Sequence, residues 1–199
     1  LIDNAARQLG FPVGPLQLND ETSIDLGAKI ARATKAAMGD DYPDSPGDDL
    51  IFWMEAEGRL GRKANAGFYE YDDKGKRTGF WPGLGEKYPL AEDQPDLIEV
   101  QERLMFSQVL DAVRALEEGV VMDIREADVG AILAWGFAPW SGGPLSWLDM
   151  IGTPYAAERT AALAAKYGTR FETPALLKEM GDKGQSFYTR FAPEAEKAA

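Results

Sequence analysis

Three landmarks occur twice along this chain, in the same order. Gly10-Phe11-Pro12 returns as Gly136-Phe137-Ala138, 126 residues later. Gly14-Pro15-Leu16 with Asp20 returns as Gly143-Pro144-Leu145 with Asp149, 129 residues later. The copies close alike, on Lys63 with Gly67-Phe68-Tyr69 and on Lys183 with Ser186-Phe187-Tyr188. Self-similarity at a fixed period marks one structural unit used more than once. The expected division is a first repeat at 1–78, a linker at 79–96, a second repeat at 97–191 and a tail at 192–199.

Residue spacing makes the repeated unit helical. Leu97, Val100, Leu104, Val109, Val113 and Leu116 recur on one helical face, and Gly119 suits the stop. Asp123, with Glu126 three residues on, reads as a capping box for a helix reaching about Trp135. Pro144 can open another, since proline's missing N–H costs nothing in a first turn. Residues 154–166 and 174–180 read as two more. In the first copy Pro15 opens a helical region to about Met38, ended by Gly39, and a further helix covers 48–58. Phe68 to Tyr71 alternates, and Asp72-Asp73-Lys74-Gly75 follows as a turn, so a small hairpin is expected. Residues 79–95, rich in Pro and Gly, read as the linker. The first copy has no counterpart of the long helix at 97–119, so the chain is expected to start within a domain.

Composition then removes whole classes of function. A net charge of −12 opposes nucleic acid and anionic membrane surfaces. Without cysteine there is no thiolate chemistry and no disulfide, which fits a reducing compartment; the cytoplasm is the expected location. Without histidine the chain supplies no imidazole base, no Ser-His-Asp triad and no His-ligated metal. Between Asp128 and Asp149 lie 20 uncharged residues, the length of a membrane span. Gly130, Gly136, Pro139, Gly142, Gly143 and Pro144 interrupt that stretch, so it reads as helix, tight loop and helix, with no membrane span.

The order Ile2-Asp3, Gly10-Phe11-Pro12-Val13-Gly14-Pro15-Leu16, Asp20, Asp25-Leu26-Gly27 resembles the C-terminal domain of 3-hydroxyacyl-CoA dehydrogenases. Gly58-Arg59-Leu60-Gly61-Arg62-Lys63 with Gly67-Phe68-Tyr69-Glu70-Tyr71 resembles that domain's closing segment. The second copy is similar to the degenerate second repeat of multifunctional β-oxidation proteins. The resemblance implies an all-α fold, two tandem helical repeats of the 6-phosphogluconate dehydrogenase C-terminal-like type. It implies a parent enzyme that oxidises L-3-hydroxyacyl-CoA with NAD, whose catalytic His-Glu pair lies on an upstream Rossmann domain. This chain then holds no cofactor and no catalytic residue; it contributes cleft wall and pairs its two copies internally. Implied partners are the acyl-CoA substrate, the upstream Rossmann domain and, in the multifunctional proteins, a thiolase subunit. In this family the segment matching Phe11, Pro12, Val13 and Gly14 lies near the acyl chain and pantetheine, so those four are the candidate substrate-binding residues. Gly14 lets backbone approach closely, and Phe11 and Val13 offer apolar surface. The competing reading of the four is a loop that fixes the angle between two helices. For the whole chain the alternatives are a non-catalytic structural module of a multienzyme complex, or a related two-domain dehydrogenase with an all-helical C-terminal half.

Three further clusters carry weaker signals. Arg59, Arg62, Lys63, Lys74, Lys76 and Arg77 can meet CoA phosphates or simply solubilise a surface. Asp40, Asp41, Asp44, Asp48 and Asp49 lack the spacing of a calcium loop and read as solvated, with Asp48 or Asp49 capping a helix. Trp135, Trp140 and Trp147 suit a core or an interface better than a stacked ligand.

Overall fold

The computed structural model describes residues 1–43 and 45–191. Asp44 of the acidic loop and the expected tail at 192–199 lie outside them. Helices dominate, as expected, with one two-stranded sheet among the described residues. The chain divides into two units, Leu1–Asn4 with Val13–Gln94, and Ala5–Pro12 with Pro95–Ala199.

The first unit contains the start of α1 (Ile2–Gln8), then α2 (Pro15–Thr22), α3 (Ile24–Met38), α4 (Pro46–Ala56), β1 (Tyr69–Tyr71), β2 (Arg77–Phe80) and α5 (Pro82–Lys87). The single helical region expected from Pro15 to Met38 is two helices. Ser23, at φ +86°, breaks it, and its hydroxyl donates to Leu60 O at 3.2 Å and bonds Asp25. Neither Asp48 nor Asp49 caps α4. The N-cap is Ser45, Pro46 fills the first helical position, and the two carboxylates sit in the first turn, where the helix dipole favours them.

The expected hairpin forms, with Tyr69 opposite Phe80 and their rings stacked at 4.4 Å. Asp72 accepts from Lys74 N and Lys76 N to shape the turn. The expected linker is a correction. Its first half is part of the unit: the Trp81 ring stacks on Trp53 at 4.8 Å with the Arg59 guanidinium 4.3 Å away on the ring. Pro82, read as a linker residue, opens α5.

The second unit contains α6 (Leu97–Glu117), α7 (Ile124–Trp135), α8 (Pro144–Ile151), α9 (Thr153–Tyr167), α10 (Ala175–Lys183) and α11 (Phe187–Arg190). α6 buries Val100, Val109 and Val113 of the six positions its spacing predicts, with Met105, Phe106 and Leu110 beside them, while Leu97, Leu104 and Leu116 are half-buried. Asp96 caps it by accepting from Ile98 N, and Asp123 caps α7 by accepting from Arg125 N. The Arg125 guanidinium holds the Asp123 carboxyl down at about 2. Residues Ala5–Pro12 count with this unit, a correction to the 1–78 boundary. Phe11 meets the edge of Phe137 at 5.7 Å, and Trp140 Nε1 donates to Leu9 O at 2.5 Å. The uncharged stretch is the end of α7, a 3-10 turn at Pro139–Ser141, and α8. Among the described residues, no helix is long and apolar enough to cross a membrane.

Candidate functional site

Gly14 ends the candidate segment and starts α2. A helix start leaves backbone N–H groups without partners, and glycine has no side chain to cap them. Asp3, eleven residues upstream, supplies the cap: its carboxylate accepts from Leu16 N at 2.8 Å and Gln17 N at 3.1 Å. A Cβ on Gly14 would fall inside that carboxylate, so the fold itself demands glycine here. Tyr69 O–H donates to the same Asp3 at 2.6 Å, while Tyr69 N and Phe68 N donate to Asp20 at 3.0 and 2.7 Å. Asp20 also accepts from Tyr71 O–H at 2.8 Å. Burial, then this bond, pushes the Tyr71 phenol well above its ordinary range. Gly67 is glycine for the same reason as Gly14, because its Cβ would overlap the Asp20 carboxylate. Since both Phe68 and Tyr69 are held by Asp20, both are buried, and the alternation expected from Phe68 to Tyr71 does not hold.

The second unit repeats the plan of this device. Asp128 accepts from Leu145 N at 2.7 Å and Ser146 N at 3.0 Å at the start of α8, across Gly143. Tyr188 O–H donates to Asp128 at 3.0 Å. Asp149 accepts from Phe187 N and Tyr188 N at 2.6 and 2.9 Å. A Cβ on Gly143 would overlap Asp128. In each unit one carboxylate caps a helix, a second holds the closing Phe-Tyr pair, and the tyrosine bridges the two. The sequence showed Asp20, Asp149 and the closing pairs as landmarks without showing that they touch. The recurrence of Asp3 as Asp128, each ahead of a Gly-Pro helix start, is the signal in the sequence that this reading missed.

Of the four candidate substrate-binding residues, Phe11 and Pro12 count with the second unit and Val13 and Gly14 with the first. Phe11 is half-buried on the apolar core of the second unit, and Pro12 is exposed beside Gly136. Val13 is half-buried and Gly14 fully buried in the first unit. The first unit has a cleft of about 460 Å³ between α2, α3 and α4, lined in part by Leu16, Ile30, Ile51 and Phe68. The second has an apolar cleft of about 780 Å³ between α6 and α7. None of the four lines either cleft.

The other clusters resolve into structure. Arg59 is buried; its Nε donates to Gly67 O at 2.7 Å, and it pairs with Glu70 at 3.0 Å. Arg62 pairs with Glu21, Lys63 with Asp25, and Arg77 lies over the Tyr69 ring. Trp147 is buried against Phe106, whereas Trp135 and Trp140 are exposed. Among the described residues, no group of acidic side chains is arranged to hold a metal ion.

Residues 1–71 match the family model of the 3-hydroxyacyl-CoA dehydrogenase C-terminal domain. That match covers the Asp3–Asp20–Tyr69 network and stops before α6. Two solved structures share the fold over most of the chain. One is the dehydrogenase part of multifunctional enzyme 1 from C. elegans, 24% identical over 89% of this chain and 41% of that one, with a TM-score of 0.63. The other is 3-hydroxybutyryl-CoA dehydrogenase from Escherichia coli, 18% identical over 92% of this chain and 54% of that one, with a TM-score of 0.65. The chain therefore spans about half the length of the solved dehydrogenases it matches.

Proposed function

We propose that this chain is the C-terminal part of an NAD-dependent 3-hydroxyacyl-CoA dehydrogenase that converts L-3-hydroxyacyl-CoA to 3-ketoacyl-CoA in fatty-acid β-oxidation. The match of residues 1–71 to that enzyme's C-terminal domain carries the reading. The residues present do not fit NAD. A dinucleotide site needs a strand leading through a glycine turn into a helix, whose N-terminus holds the pyrophosphate. Among the described residues the sheet is one antiparallel hairpin. Gly83 and Gly85 lie within α5, where a Cβ on Gly83 would overlap Trp81. NAD and the catalytic acid–base pair are thus assigned to the parent enzyme's Rossmann domain, with an acyl-CoA as substrate and a thiolase subunit as a further partner.

This chain's own contribution is a wall for the acyl chain at Phe11, Pro12, Val13 and Gly14. The Asp3 cap supports that role, since it fixes the start of α2 just after Val13 and Gly14. We read the two units as tandem copies, the second having kept the carboxylate device. A non-catalytic structural module is the second reading, favoured for the second unit because the family model ends at residue 71.

One experiment tests both parts of the reading. The purified chain is expected to show no NAD binding by titration and no turnover of 3-hydroxybutyryl-CoA above a buffer blank. In the enzyme that includes the Rossmann domain, Val13→Asp is expected to raise KM for acyl-CoA about tenfold, the cost of a charge facing an apolar chain being over 1 kcal/mol. Turnover by the chain alone, or unchanged kinetics in a folded Val13→Asp enzyme, overturns the corresponding part.

A further inference from the structure

One face is covered in the second unit and bare in the first. α2 and α8 each have eight residues, α3 and α9 each have fifteen, and both pairs start 129 residues apart. Positions therefore correspond one to one: Leu18 with Trp147, Leu26 with Tyr155, Ile30 with Arg159, Ala37 with Lys166 and Met38 with Tyr167. In the second unit these residues meet α6. Trp147 packs on Phe106 at 5.2 Å, and Tyr155 and Arg159 donate to Glu102 at 3.3 and 2.9 Å. Lys166 donates to Glu99 at 2.6 Å, and Tyr167 bonds the same carboxylate. Phe106, Val109, Leu110 and Val113 of α6 share one buried cluster with Leu145, Leu163 and Phe171.

The first unit presents the corresponding face open. Leu18, Leu26, Ile30 and Met38 are 44%, 48%, 57% and 44% exposed. Leu16, Thr34 and Tyr42, at the places of the buried Leu145, Leu163 and Phe171, line the cleft between α2, α3 and α4. The exchanges also run one way. Where the second unit sets Arg159 and Lys166 against the two carboxylates of α6, the first has Ile30 and Ala37. An apolar side chain laid there gains by burial, whereas a carboxylate loses water and finds no cation.

We infer that this groove holds a helix of the α6 pattern that the parent polypeptide carries ahead of α1, with apolar residues where α6 has Glu99 and Glu102. Its place in the chain follows from the repeat. α6 comes before α7, whose Asp128 caps α8, and α1 is the counterpart of α7 because its Asp3 caps α2. The source of the helix rests on the reading of this chain as part of a longer enzyme; its form rests on the repeat alone.

The probe is a fluorescein-labelled peptide of residues 97–117 carrying Glu99→Leu and Glu102→Leu, and its partner keeps both glutamates. Anisotropy with the purified chain is expected to show the leucine peptide binding at least tenfold more tightly. The second unit cannot give that preference, since Arg159 and Lys166 face those positions there. Leu26→Asp, at an exposed position, is expected to keep its circular dichroism and lose at least tenfold in affinity for the leucine peptide. Ile30→Arg puts a cation where Arg159 stands and is expected to remove the preference or reverse it. Residues 97–125 with the same two leucines, fused ahead of Leu1, bring Asp3 to the spacing of Asp128, and are expected to abolish binding of the free peptide. Equal affinity for the two peptides overturns the inference, as does leucine-peptide binding that a folded Leu26→Asp chain or the fusion retains. A sedimenting dimer that Leu26→Asp makes monomeric overturns it in favour of a second copy. NAD titration and turnover test the dehydrogenase reading apart from this groove.

Discussion

The second unit closes around Phe106, Phe137, Leu145, Leu148 and Phe187, none of which has measurable exposure, within one continuous apolar cluster. In the first, the buried apolar cluster is Ile24, Met54, Phe68 and Tyr69, with half-buried aromatics laid over it. Each fully buried Leu or Phe contributes about 1.5–3 kcal/mol, so the second unit has much the larger apolar term. The first relies more on polar anchoring. Its Asp20 carboxylate takes three donors where Asp149 takes two backbone ones, and the buried Arg59 is satisfied by two carbonyls, Glu70 and the Trp81 face. The same plan of carboxylates and closing tyrosines thus tolerates two ways of filling the space around it.

The contrast is broken most directly at the second carboxylate of each unit. Asp20→Ala leaves two buried N–H groups and the Tyr71 hydroxyl without their acceptor. At ~1–3 kcal/mol for each orphaned donor, the expected loss is roughly 3–9 kcal/mol. Asp149 is half-buried and water can reach its donors, so Asp149→Ala is expected to cost about 1–3 kcal/mol. Urea unfolding, with amide exchange read at Phe68, Tyr69, Phe187 and Tyr188, measures both. Equal losses would show that the anchors matter alike and that the apolar cores do not compensate.

A smaller effect separates the two helix junctions. Ser23 and Gly152 occupy equivalent places between consecutive helices with nearly the same backbone, φ +86° in both. Gly152→Ala puts a Cβ in that left-handed region and is expected to cost about 1–3 kcal/mol. Ser23→Gly relieves the strain but forfeits the hydroxyl's bond to Leu60 O, so its change is expected within about 1 kcal/mol of zero. Thermal unfolding of the two variants sharpens the comparison. A loss at Ser23→Gly as large as at Gly152→Ala would make the hydroxyl, not the backbone, decisive.

The least effect is on pH dependence. Burial raises the Asp149 carboxyl above its ordinary value, against the two N–H groups that lower it. A carboxyl raised in the folded state stabilises most below its unfolded pKa, and that contribution is lost as pH rises through the folded one. Asp123 and Glu179, held at about 2 by Arg125 and by Lys183 with Arg190, run the other way. Their contribution is present above the ordinary carboxylate range and is lost as pH falls toward 2. Asp149→Asn is therefore expected to cost less at pH 7 than at pH 3, and melting curves at the two pH values check the sign.

The helices and their ends were legible in the sequence because the forces that make them are local. The apolar spacing of α6, the Asp123 cap, the prolines opening α2 and α8 and the turn at Asp72 act within a few residues. The repeated landmarks were equally plain, though their reason was not. Gly14 first looked like a place where backbone approaches a ligand, and tertiary structure makes it, with Gly67, the room for two carboxylates. Those carboxylates bind groups 13 to 66 residues away, and no short-range pattern records such a pairing. Trp81 likewise sat in a Pro- and Gly-rich stretch that read as a linker. Its place in the first unit depends on Trp53 and Arg59, which only folding brings to its two faces. The chain determined by itself where most of the longer helices lie and which landmarks recur. Which polar groups hold each copy closed was decided by tertiary structure, because a buried carboxylate is stable only where distant donors converge on it.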